Sequence, residues 1–317
     1  MNGRGRLEIR HDIGAAGSFA LRNVSGRVRL AGIDGTEVVV LCRSSRDGEP
    51  QLNVERGEDS LLVEPRRDGT SFLGLSFDRG GSYEFDVQLP RGSRLDIKTV
   101  SADVEATDLD GEQKYKTVSG DVRLTGGAGR LSIMTVSGDL RLHDGGELEL
   151  DAVTTSGDLT VEAASLRLLG VRTVSGDVRV RSRLQPGPRH TVETVSGDLN
   201  LVAAGGGVTV ESSRALDLGR RSSAPTVVGD GSARLFFRSM SGDRRVTAAD
   251  PTVGTEAEAR EAWGWSSQPD PDVPLPPAPP APPAPAEAER LEVLRALERG
   301  EIDVDEAARR LEGTPNA

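Results

Sequence analysis

Aspartates recur along the middle of the chain at nearly constant spacing, and a row of carboxylates is the pattern with the clearest chemical potential. Such a row can bind calcium, or two of its members can cleave a polysaccharide. Unit charges about 5 Å apart repel by roughly 1 kcal/mol in water, so the row needs compensation. The aspartates are Asp103, Asp121, Asp139, Asp158, Asp177 and Asp198.

The sequence also supplies partners that would make these aspartates structural. Arg123, Arg141 and Arg179 each follow an aspartate by two residues and so share its strand face. Serines and backbone N–H groups of a turn can also bond to the carboxylates. Calcium-binding solenoids have a nine-residue period and denser acidic ligands. We therefore interpret the aspartates as turn residues and expect neither a metal nor a cofactor.

Histidine could also serve catalysis, and the chain has three, His11, His143 and His190. They fall in different repeats, with no nucleophile motif beside them. Serine-hydrolase, phosphate-loop, dinucleotide and Cys/His metal motifs are lacking as well. The single cysteine, Cys42, lies in an apolar run, where a free thiol is usually buried. We interpret each histidine as a surface residue, predict no catalytic residues and expect that the protein is not an enzyme.

A repeat sets the elements that would position these residues. The pentapeptide Thr-Val-Ser-Gly-Asp occurs four times, and successive motifs from Thr99 to Thr194 start 18, 18, 19, 19 and 21 residues apart. This period suits one β-coil per repeat. It predicts an all-β fold, a single-stranded parallel β-helix or solenoid with coils of 18–21 residues; a meander of antiparallel hairpins is the alternative. The motifs start at Thr117, Thr135, Thr173 and Thr194, with variants at Asn23, Thr99, Thr154 and Ser239.

Strand parity assigns the residues of each repeat to the inside or the outside. Leu131, Ile133 and Thr135 share a parity that places Val136 on the opposite face. If this parity holds up to the turn, an apolar ridge lies outside the core as a candidate interaction surface. If the corner turns one residue earlier, the same valines are ordinary core. The ridge residues are Val100, Val118, Val136, Val174 and Val195.

The repeats assign residues 1–250 to a β-solenoid domain. Its first part, residues 1–90, is less regular and is a candidate cap for the open end of the solenoid, where strand edges would otherwise be unpaired. Within it, Tyr83, Phe85, Val87 and Leu89 alternate with polar residues, which predicts one half-buried strand.

The C-terminal part has a different composition. Residues 251–286 are predicted to be a disordered linker, since ten of the seventeen residues from Pro269 to Pro285 are proline. Residues 287–313 are predicted to form a helical hairpin with an apolar stripe. Two short helices bury too little to be stable alone, so we expect them to bind a protein partner or a second copy. The candidate contact residues are Leu291, Leu294, Leu297, Ile302 and Leu311.

Charge and hydropathy exclude further classes of function. The formal net charge of −11 disfavours a nucleic-acid partner, because binding to phosphates needs a basic surface. No run of about 18 apolar residues predicts a membrane span, and the first residues lack the apolar core of a signal peptide. On this basis the sequence predicts a cytoplasmic protein.

Two stretches also resemble a known family. The segment from Val87 to Val104, followed by the Thr-Val-Ser-Gly-Asp copies, resembles the bacterial putative-adhesin family of β-strand repeat proteins, a domain of unknown function. The segment from Arg290 to Gly313 resembles a short helical module found in some members. The resemblance implies a single-stranded β-helix, no catalytic residues and, for some members, a link to cell-envelope stress.

Together these observations predict a non-enzymatic β-solenoid scaffold or binding protein whose helical tail mediates association. Two alternatives remain at this stage. One is a β-helix enzyme that acts on carbohydrates, which would need a non-repeating acidic cluster in a groove. The other is a scaffold that polymerises end to end, as bactofilins do, which would need uncapped ends.

Overall fold

Alternating apolar and polar residues produce strands throughout the part of the chain that the structure describes. A computed structural model describes residues 4–47, 49–66, 82–214 and 225–249, and every regular element within these ranges is a β-strand. The strands are β1 (Arg4–Asp12), β2 (Ser18–Ile33), β3 (Glu37–Asp47), β4 (Leu52–Arg56), β5 (Ser60–Pro65), β6 (Tyr83–Pro90), β7 (Arg94–Thr107), β8 (Gln113–Ser119), β9 (Val122–Thr125), β10 (Gly129–Ser137), β11 (Leu140–Val153), β12 (Leu159–Ser175), β13 (Val178–Leu184), β14 (Arg189–Ser196), β15 (Leu199–Ala203), β16 (Val208–Arg214), β17 (Thr226–Val228), β18 (Ala233–Ser241) and β19 (Arg244–Ala248).

Successive repeats pair in parallel and in the same register. Leu95 of β7 lies opposite Gln113 of β8, and Val104 of β7 lies opposite Val122 of β9. The same step continues through β10 to β15. The repeats therefore stack as coils, as the sequence predicted, and the meander of hairpins is excluded for this region. Some corners do not interrupt the strand, so β7, β11 and β12 each run from one side of a coil to the next.

The core lies between the two sides of the stacked coils. Aliphatic rows, such as Val122 and Leu124 of β9 and their equivalents Leu140 and Leu142 of β11, are buried. A bulkier end is formed by Phe19, Phe85 and Tyr115, which are also buried. Because each coil presents the same short residues to its neighbours, the interior is a set of aliphatic rows rather than a few large side chains.

The first coil carries additional strands on its outer side. The two halves of β2 pair with β7 on one edge and, on the other, with β5 and β6 in turn. Antiparallel partners follow, β4 on β5, β3 on β6 and β1 on β3. The alternation in β6 is confirmed, with Tyr83, Phe85, Val87 and Leu89 buried. The pairing is therefore mixed here and parallel in the repeats.

At the other end of the stack, the strands do not pair in the order in which they follow one another along the chain. Strands β18 and β19 stack on β14 and β15, with Ser239 opposite Thr194. The intervening β16 pairs with the far edge of β18 and, in antiparallel fashion, with β17. The motif that begins at Ser239 therefore continues the stack, although its aspartate follows the preceding one by 45 residues.

The predicted linker, residues 251–286, and the predicted helical hairpin, residues 287–313, lie outside the described residues. So do the candidate contact residues of that hairpin, Leu291, Leu294, Leu297, Ile302 and Leu311. Within the described ranges, no helix is long and apolar enough to cross a membrane.

Candidate interaction surface

The first residue of each motif fixes the geometry of the corner. Thr117 and Thr135 are buried, and each donates its Oγ1 hydrogen to the carbonyl of the serine two residues later, at 3.2 and 3.3 Å. Thr154 and Thr173 do the same at 3.1 and 3.2 Å. An internal hydroxyl without a partner costs free energy, and this bond removes that cost in these four coils, whereas the hydroxyl of buried Thr194 has no partner among the described residues. With threonine inside, the next residue points to solvent.

Glycine makes the turn that follows. Gly138 has a φ of 126°, a backbone conformation that residues other than glycine rarely adopt. There is also no space for a side chain, because a Cβ at Gly138 would lie 2.3 Å from the carbonyl oxygen of Gly120 in the preceding coil. The corners therefore stack backbone on backbone, which aligns the second motif residue of every coil.

This alignment produces a continuous apolar row, which we call the valine ridge. Its members are Val24, Val100, Val118, Val136, Thr155, Val174, Val195 and Met240, one from each of eight stacked coils. The seven apolar members are 42–49% exposed. The five valines predicted as a ridge therefore lie outside the core, and Val24 and Met240 extend the row at both ends. Seven steps of about 4.8 Å give it a length of about 34 Å.

A second row lies beside the valine ridge on the same strands, and we call it the flanking row. Met134 pairs with Lys116 on one side and Val153 on the other, so the middle of this row is apolar. Met134 is 48% exposed. The ends are charged, since the complete row reads Arg22, Lys98, Lys116, Met134, Val153, Arg172, Glu193 and Arg238.

The aspartates form a hydrogen-bonded ladder between coils. Oδ1 of Asp103 accepts the backbone N–H of Asp121, Oδ1 of Asp121 accepts that of Asp139, and Oδ1 of Asp139 accepts that of Asp158, all at 3.0 Å. The ladder continues through Asp177 and Asp198 to Asp243. The structural interpretation of these residues holds, but the bonds join neighbouring coils and do not close a turn within one coil.

The arginines use the remaining carboxylate oxygens. Arg141 lies 2.6 Å from Asp139 and 3.4 Å from Asp121, and Arg179 lies 2.9 Å from Asp177 and 2.8 Å from Asp158. Partial burial acts to raise the pKa of Asp158, but hydrogen bonds from Arg179 and from the Asp177 amide outweigh it and hold that pKa below its ordinary value. A general acid needs a raised pKa, so this aspartate is poorly suited to the general-acid role in glycoside cleavage.

One histidine departs from its prediction as a surface residue. His190 is completely buried; its Nδ1 accepts the Leu169 N–H at 3.2 Å, and its Nε2 donates to the Gln185 carbonyl at 2.9 Å. Burial lowers the pKa of this imidazole, against the opposing effect of the Gln185 bond. The prediction was wrong because both partners are backbone groups that no motif reveals, and one of them, the Leu169 N–H, lies 21 residues away in the preceding coil. His190 is a neutral core residue.

His143 lies in a small polar cluster that the sequence analysis missed. Its Nδ1 lies 2.7 Å from Glu162, and its Nε2 lies 3.2 Å from Asp144. The repeat contained the signal, because His143 and Glu162 each stand four residues after a ladder aspartate and so occupy the same place in adjacent coils. Among the described residues, no three histidine, cysteine or acidic side chains are arranged to hold a metal ion.

A cleft of about 460 Å³ lies on the outer face of β1, β3, β6, β2 and β7. Val39 and Leu41 contribute apolar surface to it. Arg29 crosses its wall and pairs with Asp86 at 3.2 Å and with Glu105 at 3.3 Å. Arg29 is thus held between two carboxylates of the wall.

A family model described as Toastrack DUF4097 matches residues 35–214, which is more than half of the chain. The chain belongs to the Toastrack DUF4097 family. This confirms the resemblance to a β-strand repeat family of unknown function, and the match covers the stacked coils from Thr99 to Thr194. No curated protein matches the Toastrack chain.

Several solved structures are similar to this chain. A "putative adhesin" from Parabacteroides distasonis is 12% identical with a TM-score of 0.44, covering 78% of this chain and 96% of its own. One from Bacteroides fragilis is 12% identical with a TM-score of 0.43, covering 78% and 99%. A "putative cell adhesion protein" from Clostridium sporogenes is 11% identical with a TM-score of 0.25, covering 77% and 100%.

The names of these neighbours correct the cytoplasmic location predicted from the sequence. They are named for adhesion, and that name stands against a cytoplasmic protein. The prediction rested on the lack of a recognisable signal peptide and membrane span in the sequence. Such a lack does not determine where a protein is located. Neither the family nor these neighbours are named as enzymes.

Proposed function

We propose that this Toastrack protein is a non-enzymatic binding scaffold whose contact surface is the valine ridge. The observation that supports this is the row of seven exposed apolar side chains on eight successive coils. The corner itself does not require them, because the threonine, glycine and aspartate make the structural bonds and Thr155 replaces valine in one coil. Contiguous exposed apolar surface of this kind marks interaction sites.

Site-specific photocrosslinking in the producing cells tests this function. In the test, a benzophenone amino acid replaces Val118 or Val136 on the ridge. In the control it replaces Val227 of β17, which is also an exposed valine, with 59% exposure. We expect one discrete adduct from both ridge positions and none from Val227. No adduct at either ridge position, or the same adducts at all three, contradicts the proposal.

The helical tail is proposed as a second contact region, through Leu291, Leu294, Leu297, Ile302 and Leu311. Its support is the apolar stripe and the small size of the two predicted helices. Affinity capture with the whole chain and with a chain that ends at residue 286 tests this role. We expect partners that depend on residues 287–317, and identical partner lists would remove the docking role.

A link to cell-envelope stress is also only proposed, on the resemblance noted from the sequence. Transcript levels measured before and after treatment with a cell-wall antibiotic test it, and an unchanged level contradicts it. End-to-end polymerisation has less support, because the antiparallel pairs β3–β6 and β16–β17 interrupt the parallel register near the ends of the stack.

A further inference from the structure

The first coil ends in a strand with an open edge. β1 pairs with β3 in antiparallel fashion, and β3 is the only strand that pairs with it in the described part of the chain. The Ile13 N–H donates to the Thr36 carbonyl at 2.9 Å, in the register that continues the pairing of β1 with β3. Bonded pairs alternate along antiparallel strands, so Leu7, Ile9 and His11 bond to β3. The residues between them point their backbone N–H and C=O groups to the open edge.

The other side of β3 agrees with this assignment. The Ser45 N–H donates to the Ser82 carbonyl at 3.0 Å, so the odd-numbered residues of β3 bond to β6. The even-numbered residues of β3 are therefore the ones that bond to β1, and they lie opposite the odd-numbered residues of β1.

The residues of β1 that face the open edge are all charged and exposed. In chain order they are Arg6, Glu8, Arg10 and Asp12. Charges commonly protect an edge strand from other chains, and charges of one sign do so by repelling a second copy. β1 has two charges of each sign instead, so it attracts a strand in which the order of charges is complementary.

A second copy of β1 supplies that order in an antiparallel arrangement. With Ile9 of the two copies opposite each other, Arg6 lies opposite Asp12 and Glu8 lies opposite Arg10. A two-fold axis at Ile9 repeats each contact, so every charged residue of the edge meets the opposite charge. These residues also have their backbone groups on the open edge, so the two copies exchange about eight N–H···O bonds.

Other registers of the same two strands are unfavourable. A shift of two residues places Glu8 opposite Glu8 or Arg10 opposite Arg10, and like charges directly opposite are destabilising. A shift of four places Arg4 opposite Arg10 or leaves only three residues of β1 paired. Odd shifts bring the open-edge groups of one copy opposite residues that bond to β3. Charge order and hydrogen bonding therefore favour one register over the others.

The charged groups are already in position for this contact. The Asp12 carboxylate accepts the Gly14 N–H at 2.9 Å and the Thr36 hydroxyl at 3.1 Å, which fixes it at the edge. Arg6 makes only one ion pair with the described residues, a long one with Glu8 at 3.9 Å. Its guanidinium can therefore turn to Asp12 of a second copy.

We propose that β1 binds β1 of a second copy of this chain, antiparallel and with the two-fold axis at Ile9. The contact is separate from the valine ridge, so it stands or falls independently of the proposed function. A two-fold contact occupies the open edge of both copies, so the assembly closes as a dimer and does not grow into a filament.

Sedimentation velocity of the full chain tests the dimer. We expect reversible dimerisation of the wild-type chain at concentrations up to about 100 µM. Glu8→Arg places like charges opposite each other twice and should raise the dissociation constant at least about tenfold.

Glu84→Arg is the matched control, because it makes the same change of charge on the same sheet. The Glu84 side chain is 56% exposed, but β6 is paired on both edges, so the dissociation constant should not change. A circular dichroism spectrum matching wild type shows that each variant is folded. A wild-type chain that stays monomeric, or equal effects of the two substitutions, overturns the proposal.

Exchange of charges between two chains tests the register. Arg10→Glu should also weaken self-association, because the new glutamate lies opposite Glu8. In an equimolar mixture of Glu8→Arg and Arg10→Glu chains, both contacts between the two variants are again of opposite charge. The mixture should sediment as a heterodimer with about wild-type affinity. A mixture in which both chains stay monomeric overturns the register.

Cysteine cross-linking tests the orientation. Opposing Cα atoms of a bonded antiparallel pair lie about 5.5 Å apart, which suits a disulfide. Separately purified Arg6→Cys and Asp12→Cys chains should form a mixed disulfide under copper-phenanthroline oxidation. Neither should link to itself, because identical positions are offset by six residues, or about 20 Å. Self-linked Arg6→Cys chains overturn the antiparallel arrangement.

The native cysteine does not interfere with this experiment. Cys42 is completely buried, and burial raises the pKa of its thiol to about 12, which leaves it unreactive. Disulfides of the two variants therefore report on the introduced cysteines.

Discussion

Threonine at the first motif position is a polar residue in an aliphatic interior, and its inward position leaves the neighbouring valine on the outer face. Thr135 is buried at the corner and bonds to the carbonyl of Ser137. Val136 then faces solvent. The inward position of the first motif residue thus places the valines at the surface, and the hydroxyl bond is not required for it, since buried Thr194 makes no such bond to any described residue and Val195 is still 42% exposed.

His190 makes stability depend on pH at the scale of one residue. Its pKa is lowered by burial, so the folded state holds it neutral while the unfolded chain protonates near the ordinary value of 6.5. The unfolded state therefore binds more protons as the pH falls below that value, and the free energy of unfolding decreases. The stabilisation is fully present above about pH 6.5 and is lost as the pH falls toward the lowered pKa.

Chemical unfolding of wild type and His190→Gln at several pH values between about 7.5 and 5.5 measures this effect. Glutamine has a donor and an acceptor but no titrating group, so the variant should show a smaller loss of unfolding free energy across this range. Equal pH slopes for the two proteins would assign the dependence to other groups.

At the scale of the corner, a side chain that pushes two stacked backbones apart is expected to destabilise the fold more than one that only strains the glycine conformation. Gly138 and Gly187 have φ values of 126° and 110°, yet only Gly138 lies against another backbone, while a Cβ at Gly187 meets nothing within 4 Å. Gly187→Ala should destabilise by about 1–2 kcal/mol through backbone strain. Gly138→Ala should cost about 1–3 kcal/mol more through overpacking.

Denaturant unfolding of the two glycine variants gives the comparison. The matched pair separates strain from contact, because both residues need a left-handed backbone. Equal costs would show that the coils move apart easily at the corner.

The repeat made the strands and coils predictable from the sequence. The side-chain partners were less predictable, because many of their hydrogen bonds join different coils. The 18- to 21-residue spacing predicted coils, and parity predicted that Leu131 and Ile133 lie on the face opposite to Val136. Two alternatives for Val136 remained because they differ only in whether the corner turns one residue earlier. Asp139 accepts the N–H of Asp158, and His190 accepts that of Leu169, which lie 19 and 21 residues away along the chain, so these bonds depend on how coils stack and not on local pattern.

At the scale of the whole domain, the coils should behave as interchangeable units. Deleting residues 118–135 removes one period of 18 residues and joins Thr117 to Val136, which leaves Asp103 to accept the Asp139 N–H. We expect this chain to fold, with cooperative thermal unfolding at a somewhat lower temperature, because stability in stacked repeats is close to a sum over neighbours.

Deletion of residues 118–126 is the control, since it removes half a period. This deletion shifts the following strands out of register with those of the preceding coil. The resulting chain should show no cooperative unfolding transition. Circular dichroism melts of both deletions decide the outcome, and equal behaviour of the two would contradict modular stacking.

The strands between β15 and β18 leave the stack and return without breaking it, since Oδ1 of Asp198 still accepts the Asp243 N–H at 2.7 Å. Gly205 lies exposed in the turn where this excursion begins, and nothing stands within 4 Å of its Cβ position. The fold therefore already tolerates an insert between two consecutive rungs. A foreign peptide or reporter domain grafted at Gly205 is expected to be displayed at the side of an otherwise intact stack, which makes the protein a presentation platform.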